Sequence, residues 1–255
     1  MNIIVLEDYY AMSEKAAKLV EEQIKKNSHS VLGFSTGSTP LGLYKYLIKG
    51  FKERGISYQY LITFNLDEYL GLEKNNPNSY HTFMNERLFH HLDIEQENTY
   101  IPNGIAPSIE KECKRYEDLL DNIGPIDLQI LGIGTNGHIG FNEPGTSPLS
   151  TTHVVKLDET TREYNARFFR SYEDIPNYSI TMGIASILKS KQILLLASGE
   201  KKANAVKQLL SKEIHGSFPA SWLWHHENVT LLVDQEAFKL VGNTSGSKVF
   251  SAQIK

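Results

Sequence analysis

Short apolar runs alternate with amphipathic stretches along most of the chain. Residues 2–6, 31–35, 61–65, 126–132, 192–197 and 228–233 read as strands, each a brief run of mostly apolar residues. Between them, apolar residues recur at helical spacing. In residues 12–25 the positions Ala16, Ala17, Val20 and Ile24 fall on one face. LGLYKYLIKGFKERG, SYHTFMNERLFHHL, IEKECKRYEDLLDNIG (closed by Gly124, a common helix stop) and residues 201–210 read as further helices. Strands alternating with helices predict right-handed crossovers and an α/β fold with a mostly parallel sheet. Runs apolar at every position, such as ILLLA, fit a sheet covered on both faces. In such folds ligands bind beyond the carboxyl ends of the strands. The polar segment 145–176 shows no clear period, and a loop of that length inside one domain is expected to act as a lid.

Composition narrows the class. At 255 residues a single domain is expected, and 40% apolar with 22% charged residues suits a globular enzyme. A net charge of −4 offers no basic excess for nucleic-acid binding. The lone cysteine, Cys113, cannot form an internal disulfide, and MNIIVLEDYY does not have the pattern of a signal peptide. No apolar run reaches the roughly 18 residues needed to cross a bilayer. A cytoplasmic location with no membrane partner is therefore expected.

Three strand-end segments carry candidate chemistry. Ser35, Thr36, Gly37, Ser38 and Thr39, followed by Pro40, join a strand to a helix. Hydroxyls and backbone N–H groups at a helix N-terminus hold anions. A plain helix cap would use the same residues, and the lysine of a P-loop is missing. Asp67 and Glu68 follow the third strand; a buried carboxylate there could act as a general base. Taken alone, a helix cap or solvated loop is the simpler account of that pair. The loop LGIGTNGHIGFNEP holds a G-x-G-x-x-G at Gly132, Gly134 and Gly137. The dinucleotide reading of that pattern needs a helix opening inside it, and the following glycines and proline argue against one. The loop instead brings together His138 and Glu143, a pair suited to moving protons near neutral pH. Arg167 and Lys202 are candidate phosphate contacts. The adjacent pairs His90-His91 and His225-His226 lack metal-ligand spacing, so no metal site is expected.

Together these segments resemble the glucosamine-6-phosphate deaminase (isomerase) family. The resemblance rests on LGFSTGSTPLGLY, TFNLDEYLGL, NSYHTFMNERLF, LGIGTNGHIGFNEPGTS, LDETTREYNARFF and SGEKKANAV, which run in family order through nearly the whole chain. It implies a Rossmann-like three-layer α/β/α sandwich. It implies conversion of glucosamine 6-phosphate and water to fructose 6-phosphate and ammonia, with no cofactor and no metal. By motif, Asp67 matches the base that moves the proton between C2 and C1. His138 matches the residue that assists ring opening, with Glu143 supporting it. Residues 35–39, Arg167 and Lys202 match the phosphate contacts.

Two positions depart from the pattern. Many family members carry Asp where this chain has Asn136, two residues before the histidine. An amide can orient His138 but cannot supply charge, which leaves Glu143 as the expected negative partner. Where allosteric members carry a basic pair, this chain reads His153 and Val155, so activation by N-acetylglucosamine 6-phosphate is not expected. Monomer and homo-oligomer both remain open. The related 6-phosphogluconolactonases share a glycine-rich loop and histidine but typically lack IGFNEP after it. Sugar-phosphate-sensing regulators can share the fold, yet a protein that only binds would not need Asp67, His138 and Glu143 together.

Overall fold

The run Ile193–Ala197 is buried at every position, and its side chains divide between two cores. Ile193, Leu195 and Ala197 join one apolar cluster; Leu194 and Leu196 join the other. Alternation along a strand, combined with cover on both faces, produces this division. The computed structural model describes residues 1–241 and 249–251. Its elements are β1 (Asn2–Leu6), α1 (Tyr9–Lys26), β2 (Val31–Phe34), α2 (Leu41–Arg54), β3 (Ile62–Asn65), β4 (Asp67–Tyr69), α3 (Tyr80–Arg87), β5 (Thr99–Tyr100), α4 (Ile109–Ile123), β6 (Leu128–Gly132), β7 (His153–Lys156), α5 (Glu159–Asn165), β8 (Tyr178–Thr181), α6 (Ile184–Leu188), β9 (Ile193–Ala197), α7 (Ala203–Leu210), β10 (Val229–Asp234), α8 (Gln235–Phe238) and β11 (Val249–Ser251).

Eight strands form one sheet in the order β11-β1-β10-β9-β6-β2-β3-β5, and every pairing in it is parallel. Met12, Val20, Leu43, Leu47, Met84 and neighbours from α1, α2 and α3 pack on one face. Tyr116, Leu120, Ile187, Val206, Leu209 and Ala237 from α4, α6, α7 and α8 cover the other. The result is the expected three-layer α/β/α sandwich. From β2 the chain winds outward through β3 and β5; from β6 it winds the opposite way through β9 and β10. The ends of β2 and β6 thus diverge at a topological switch point, where a crevice opens.

A second, antiparallel sheet of order β4-β8-β7 stands beside that crevice. It corrects two expectations. Asp67 does not lie in a solvated loop after the third strand; it begins β4, paired with Thr181 of β8. The segment 145–176 is not irregular throughout, since it contains β7 and α5. Boundaries moved as well: α3 stops at Arg87 and continues only as a 3-10 turn, Phe89–His91, and residues 200–202 are a 3-10 turn before α7. Among the described residues no helix is long and apolar enough to cross a membrane.

Candidate active site

The crevice between β2 and β6 is lined by Ser35, Thr36, Gly37, Ser38 and Thr39 from the loop after β2, and by Asp67, His138 and Lys202. Leu66, Tyr80, Phe141, Thr161 and Asn165 complete much of its wall. Arg167 is not among the lining residues. It lies in the 3-10 turn Ala166–Phe168, and its guanidinium donates to Ser38 Oγ at 3.2 Å, which puts it at the rim of the loop.

The adjacent acids Asp67 and Glu68 take different roles because consecutive strand residues face opposite ways. Glu68 turns toward α3. Its Oε1 accepts from the backbone N–H of Tyr69 and of Tyr80, both at 2.9 Å, and its Oε2 accepts from His81 N at 3.1 Å. A carboxylate at a helix N-terminus satisfies amides the helix cannot. Ser79 caps the same turn by accepting from Thr82 N. Asp67 turns into the crevice and is buried. Burial, with the neighbouring Glu68 charge adding to it, pushes its pKa well above the ordinary carboxylate value.

The loop after β6 runs through turns, and no helix opens between residues 133 and 152. Its chain folds back so that Gly134 N donates to His138 O at 2.9 Å. A Cβ on Gly134 would stand 2.5 Å from the His138 ring, so only glycine allows that return. Asn142 fastens the loop from behind, its Nδ2 donating to Ile139 O and Met182 O, both at 2.8 Å. Phe141 N donates to Thr181 Oγ1 at 3.1 Å, which ties the loop to the strand paired with Asp67.

Behind His138 stands a small polar cluster. Glu143 Oε2 lies 3.5 Å from His138 Nδ1 and accepts from Asn136 Nδ2 at 2.9 Å. Glu143 Oε1 accepts from Thr161 Oγ1 at 2.6 Å, and the same hydroxyl lies 3.4 Å from His138 Nδ1. Burial alone would raise the Glu143 pKa. Its contacts with His138, then those with Thr161 and Asn136, outweigh burial and hold it below the usual value. Glu143 is therefore a carboxylate at neutral pH. Asn136 does not orient the imidazole as expected. It braces Glu143, and its Oδ1 accepts from the backbone N–H of His138 at 3.2 Å.

Thr161 went unnoticed in the sequence, although it stands in the first turn of α5 three residues after the capping Asp158. Tyr80 was missed too. It lines the crevice together with Thr36 and Asn165, and its ring packs against that of Tyr69. The rings of Tyr69, Tyr80, Phe141 and Phe169 pack within 6.0 Å centroid to centroid. Lys202 follows a turn held by Asp234, whose carboxylate accepts from Gly199 N and Ser198 Oγ. Among the described residues no three His, Cys, Asp or Glu side chains gather as metal ligands would.

A family model described as glucosamine-6-phosphate isomerases/6-phosphogluconolactonase matches residues 8–232. Glucosamine-6-phosphate deaminase of Geobacillus sp. (strain WCH70) is 52% identical over 241 residues, covering 94% of this chain and 96% of the relative. Glucosamine-6-phosphate deaminase 1 of Bacillus subtilis (strain 168) is 50% identical over 240 residues, covering 94% and 99%. A solved structure of a monomeric glucosamine-6-phosphate deaminase superposes with a TM-score of 0.93 at 50% identity, covering 94% of this chain and all of that one. The 6-phosphogluconolactonase from Trypanosoma brucei shares the fold, with a TM-score of 0.76 at 20% identity and 94% of this chain covered against 98% of that one.

Proposed function

Because the chain belongs to the glucosamine-6-phosphate isomerase/6-phosphogluconolactonase family, we propose that it converts glucosamine 6-phosphate and water to fructose 6-phosphate and ammonia. The observation that carries this reading is one buried carboxyl, Asp67, in the same crevice as an imidazole backed by a carboxylate and a hydroxyl-rich loop. The phosphate sits against residues 35–39, with Lys202 beside it and Arg167 arriving from the rim. Loop amides, hydroxyls and fixed cations suit a dianion.

His138 opens the pyranose. It moves the proton of the anomeric hydroxyl to the ring oxygen, and the C1–O5 bond breaks to leave an aldehyde beside the C2 amine. Nδ1 faces Glu143 and Thr161, so Nε2 is the nitrogen left for the sugar, and the Glu143 charge steadies the imidazolium that forms. Asp67, as its carboxylate, takes the proton from C2 while a proton of the C2 ammonium passes to O1, which gives an enolamine. It returns that proton to C1, which leaves an iminium at C2. Water adds at C2, the C–N bond breaks, and ammonia leaves with fructose 6-phosphate. One carboxyl serving two adjacent carbons requires a substrate anchored at its far end, which the phosphate loop provides.

The segment from about residue 158 to 176 acts as the lid. The chain just before it is fastened, since Thr152 N and Oγ1 both donate to Glu117 of α4, and β7 pairs with β8. The segment itself carries Thr161, Asn165 and Arg167, so its closure would complete the site. The reaction runs in the cytoplasm, where charged sugar phosphates are retained. A monomer is the assembly favoured by the 50% identical relative described as monomeric; sedimentation at two concentrations reads it directly.

The test is an assay of the purified protein with glucosamine 6-phosphate in EDTA, following ammonia and fructose 6-phosphate together. Equal release of both products, abolished in Asp67→Asn, is the expected result. No turnover by a folded protein would overturn the reading.

A further inference from the structure

On the reading of residues 35–39 as the phosphate site, backbone amides of the loop after β2 face the anion, so the direction of each peptide plane matters. In a trans peptide the C=O and the following N–H point in opposite directions. Whatever grips a carbonyl from outside the crevice therefore aims the next amide the other way. Two tyrosine hydroxyls hold carbonyls of this loop. Tyr44 of α2, fully buried, donates to Ser35 O. Tyr9, the first residue of α1, donates to Ser38 O at 3.1 Å.

Tyr9 does a second thing with the same oxygen. It accepts from Gly42 N at 2.7 Å, a backbone amide in the first turn of α2. That helix has Pro40 at its N-cap position and no side-chain cap of its own. A hydroxyl has one proton, so with Gly42 N donating to it, the proton is committed to Ser38 O. Close approach of α1 and α2 makes this possible: a Cβ on Gly42 would lie 3.0 Å from Tyr9 Cε1 and 2.2 Å from Ser13 Oγ. No motif pointed to Tyr9, because its contacts lie 29 and 33 residues away.

We propose that Tyr9 is a positioning residue for phosphate binding, acting from behind the loop by fixing the Ser38–Thr39 peptide so that Thr39 N–H faces the phosphate. The proposal rests on the reading of residues 35–39 as the phosphate site. Tyr9 touches neither C1 nor C2, so its effect falls on binding and not on proton transfer.

Tyr9→Phe keeps the ring and removes the hydroxyl. The KM for glucosamine 6-phosphate should rise about three- to tenfold, the range that loss of one modest hydrogen bond gives. The inhibition constant of inorganic phosphate should rise by the same factor while kcat stays near the parent's, and the melting temperature should fall by no more than the few degrees that losing one hydroxyl's bonds gives. Tyr10→Phe, at the neighbouring exposed ring, should change none of these. An unchanged KM and phosphate constant in Tyr9→Phe would overturn the proposal. So would a fall in kcat at constant KM, or losses that come with a melting temperature lowered by more than those few degrees. Calorimetric titration with inorganic phosphate keeps the two readings apart. If the parent binds phosphate but does not turn over the amino sugar, the deaminase reading fails and Tyr9→Phe still reports on the loop. If the parent binds no phosphate, the proposal fails with the site.

Discussion

Replacing Asp67 with asparagine preserves the side chain's shape and removes its charge, and the consequences for stability can be worked out from its burial. Folding takes this carboxyl out of water and sets it beside Glu68, so its pKa in the native state lies well above the ordinary value of 3.8. Native protein then keeps a proton that the unfolded chain releases. As pH rises from the unfolded pKa toward the folded one, stability falls; below the first the group contributes nothing, and above the second the loss is complete and constant. Each unit of elevation corresponds to about 1.4 kcal/mol. For a chain of this size that amounts to about 3–6 °C in melting temperature per unit.

The Asp67→Asn variant has no such titration. The melting-temperature difference, variant minus parent, should therefore grow as pH rises and then level off. Only the pH dependence of that difference is diagnostic, because any fixed gain or loss from the amide's own hydrogen bonds cancels. Calorimetric scans from about pH 5 to pH 9 would read it. Phosphate must be left out of the buffer, since a ligand bound only to the native state adds stability of its own. The same variant should lose about 10²–10⁴ in turnover, the usual contribution of a positioned base. For the parent, the acid limb of kcat/KM should lie above the ordinary carboxylate range, because the base must be ionised to act. A difference that stays flat with pH, or an asparagine variant that loses stability relative to the parent as pH rises, would refute the buried-carboxyl argument.

Glu143→Gln should lower kcat and move the pH profile far more than Asn136→Ala, because Glu143 carries the charge facing His138 while Asn136 only braces it; equal effects in pH-rate profiles would contradict that division. N-acetylglucosamine 6-phosphate should leave the rate curve unchanged, since His153 and Val155 stand where a basic pair would be needed; a sigmoidal curve made hyperbolic by that compound would refute this. Fructose 6-phosphate should slow backbone hydrogen exchange in residues 158–176 more than in β7. Equal protection of both, or none, would count against a lid hinged after the fastened strand.

The strands of the large sheet were legible because both of their faces are buried. Such a strand must be apolar at nearly every position, so β2, β6, β9 and β10 stand out without any partner being known. The antiparallel sheet gave no such signal. β7 alternates between partial burial and exposure, and β4 is the triplet Asp67-Glu68-Tyr69, one acid buried facing the crevice and the other buried against amides at the start of α3. A strand whose side chains serve a site breaks the pattern by which strands are recognised.

The site was legible to the same degree. Motif order placed Asp67, His138, Glu143, Lys202 and the loop at residues 35–39 together, and they do line or back one crevice. Local spacing could not say which of two neighbouring acids faces it, because that is decided by amides of Tyr80 and His81, 12 and 13 residues onward, which claim Glu68. Nor could it assign Asn136. Two residues from His138, the amide looks placed to touch the ring, but the glycine-rich return at Gly134 puts Glu143 and Thr161 at Nδ1 instead. Asn136 therefore acts first on Glu143, to which it donates at 2.9 Å where a carboxylate would repel it. With that donor, and with His138 and Thr161 at its other contacts, Glu143 keeps its pKa below the usual value while largely buried.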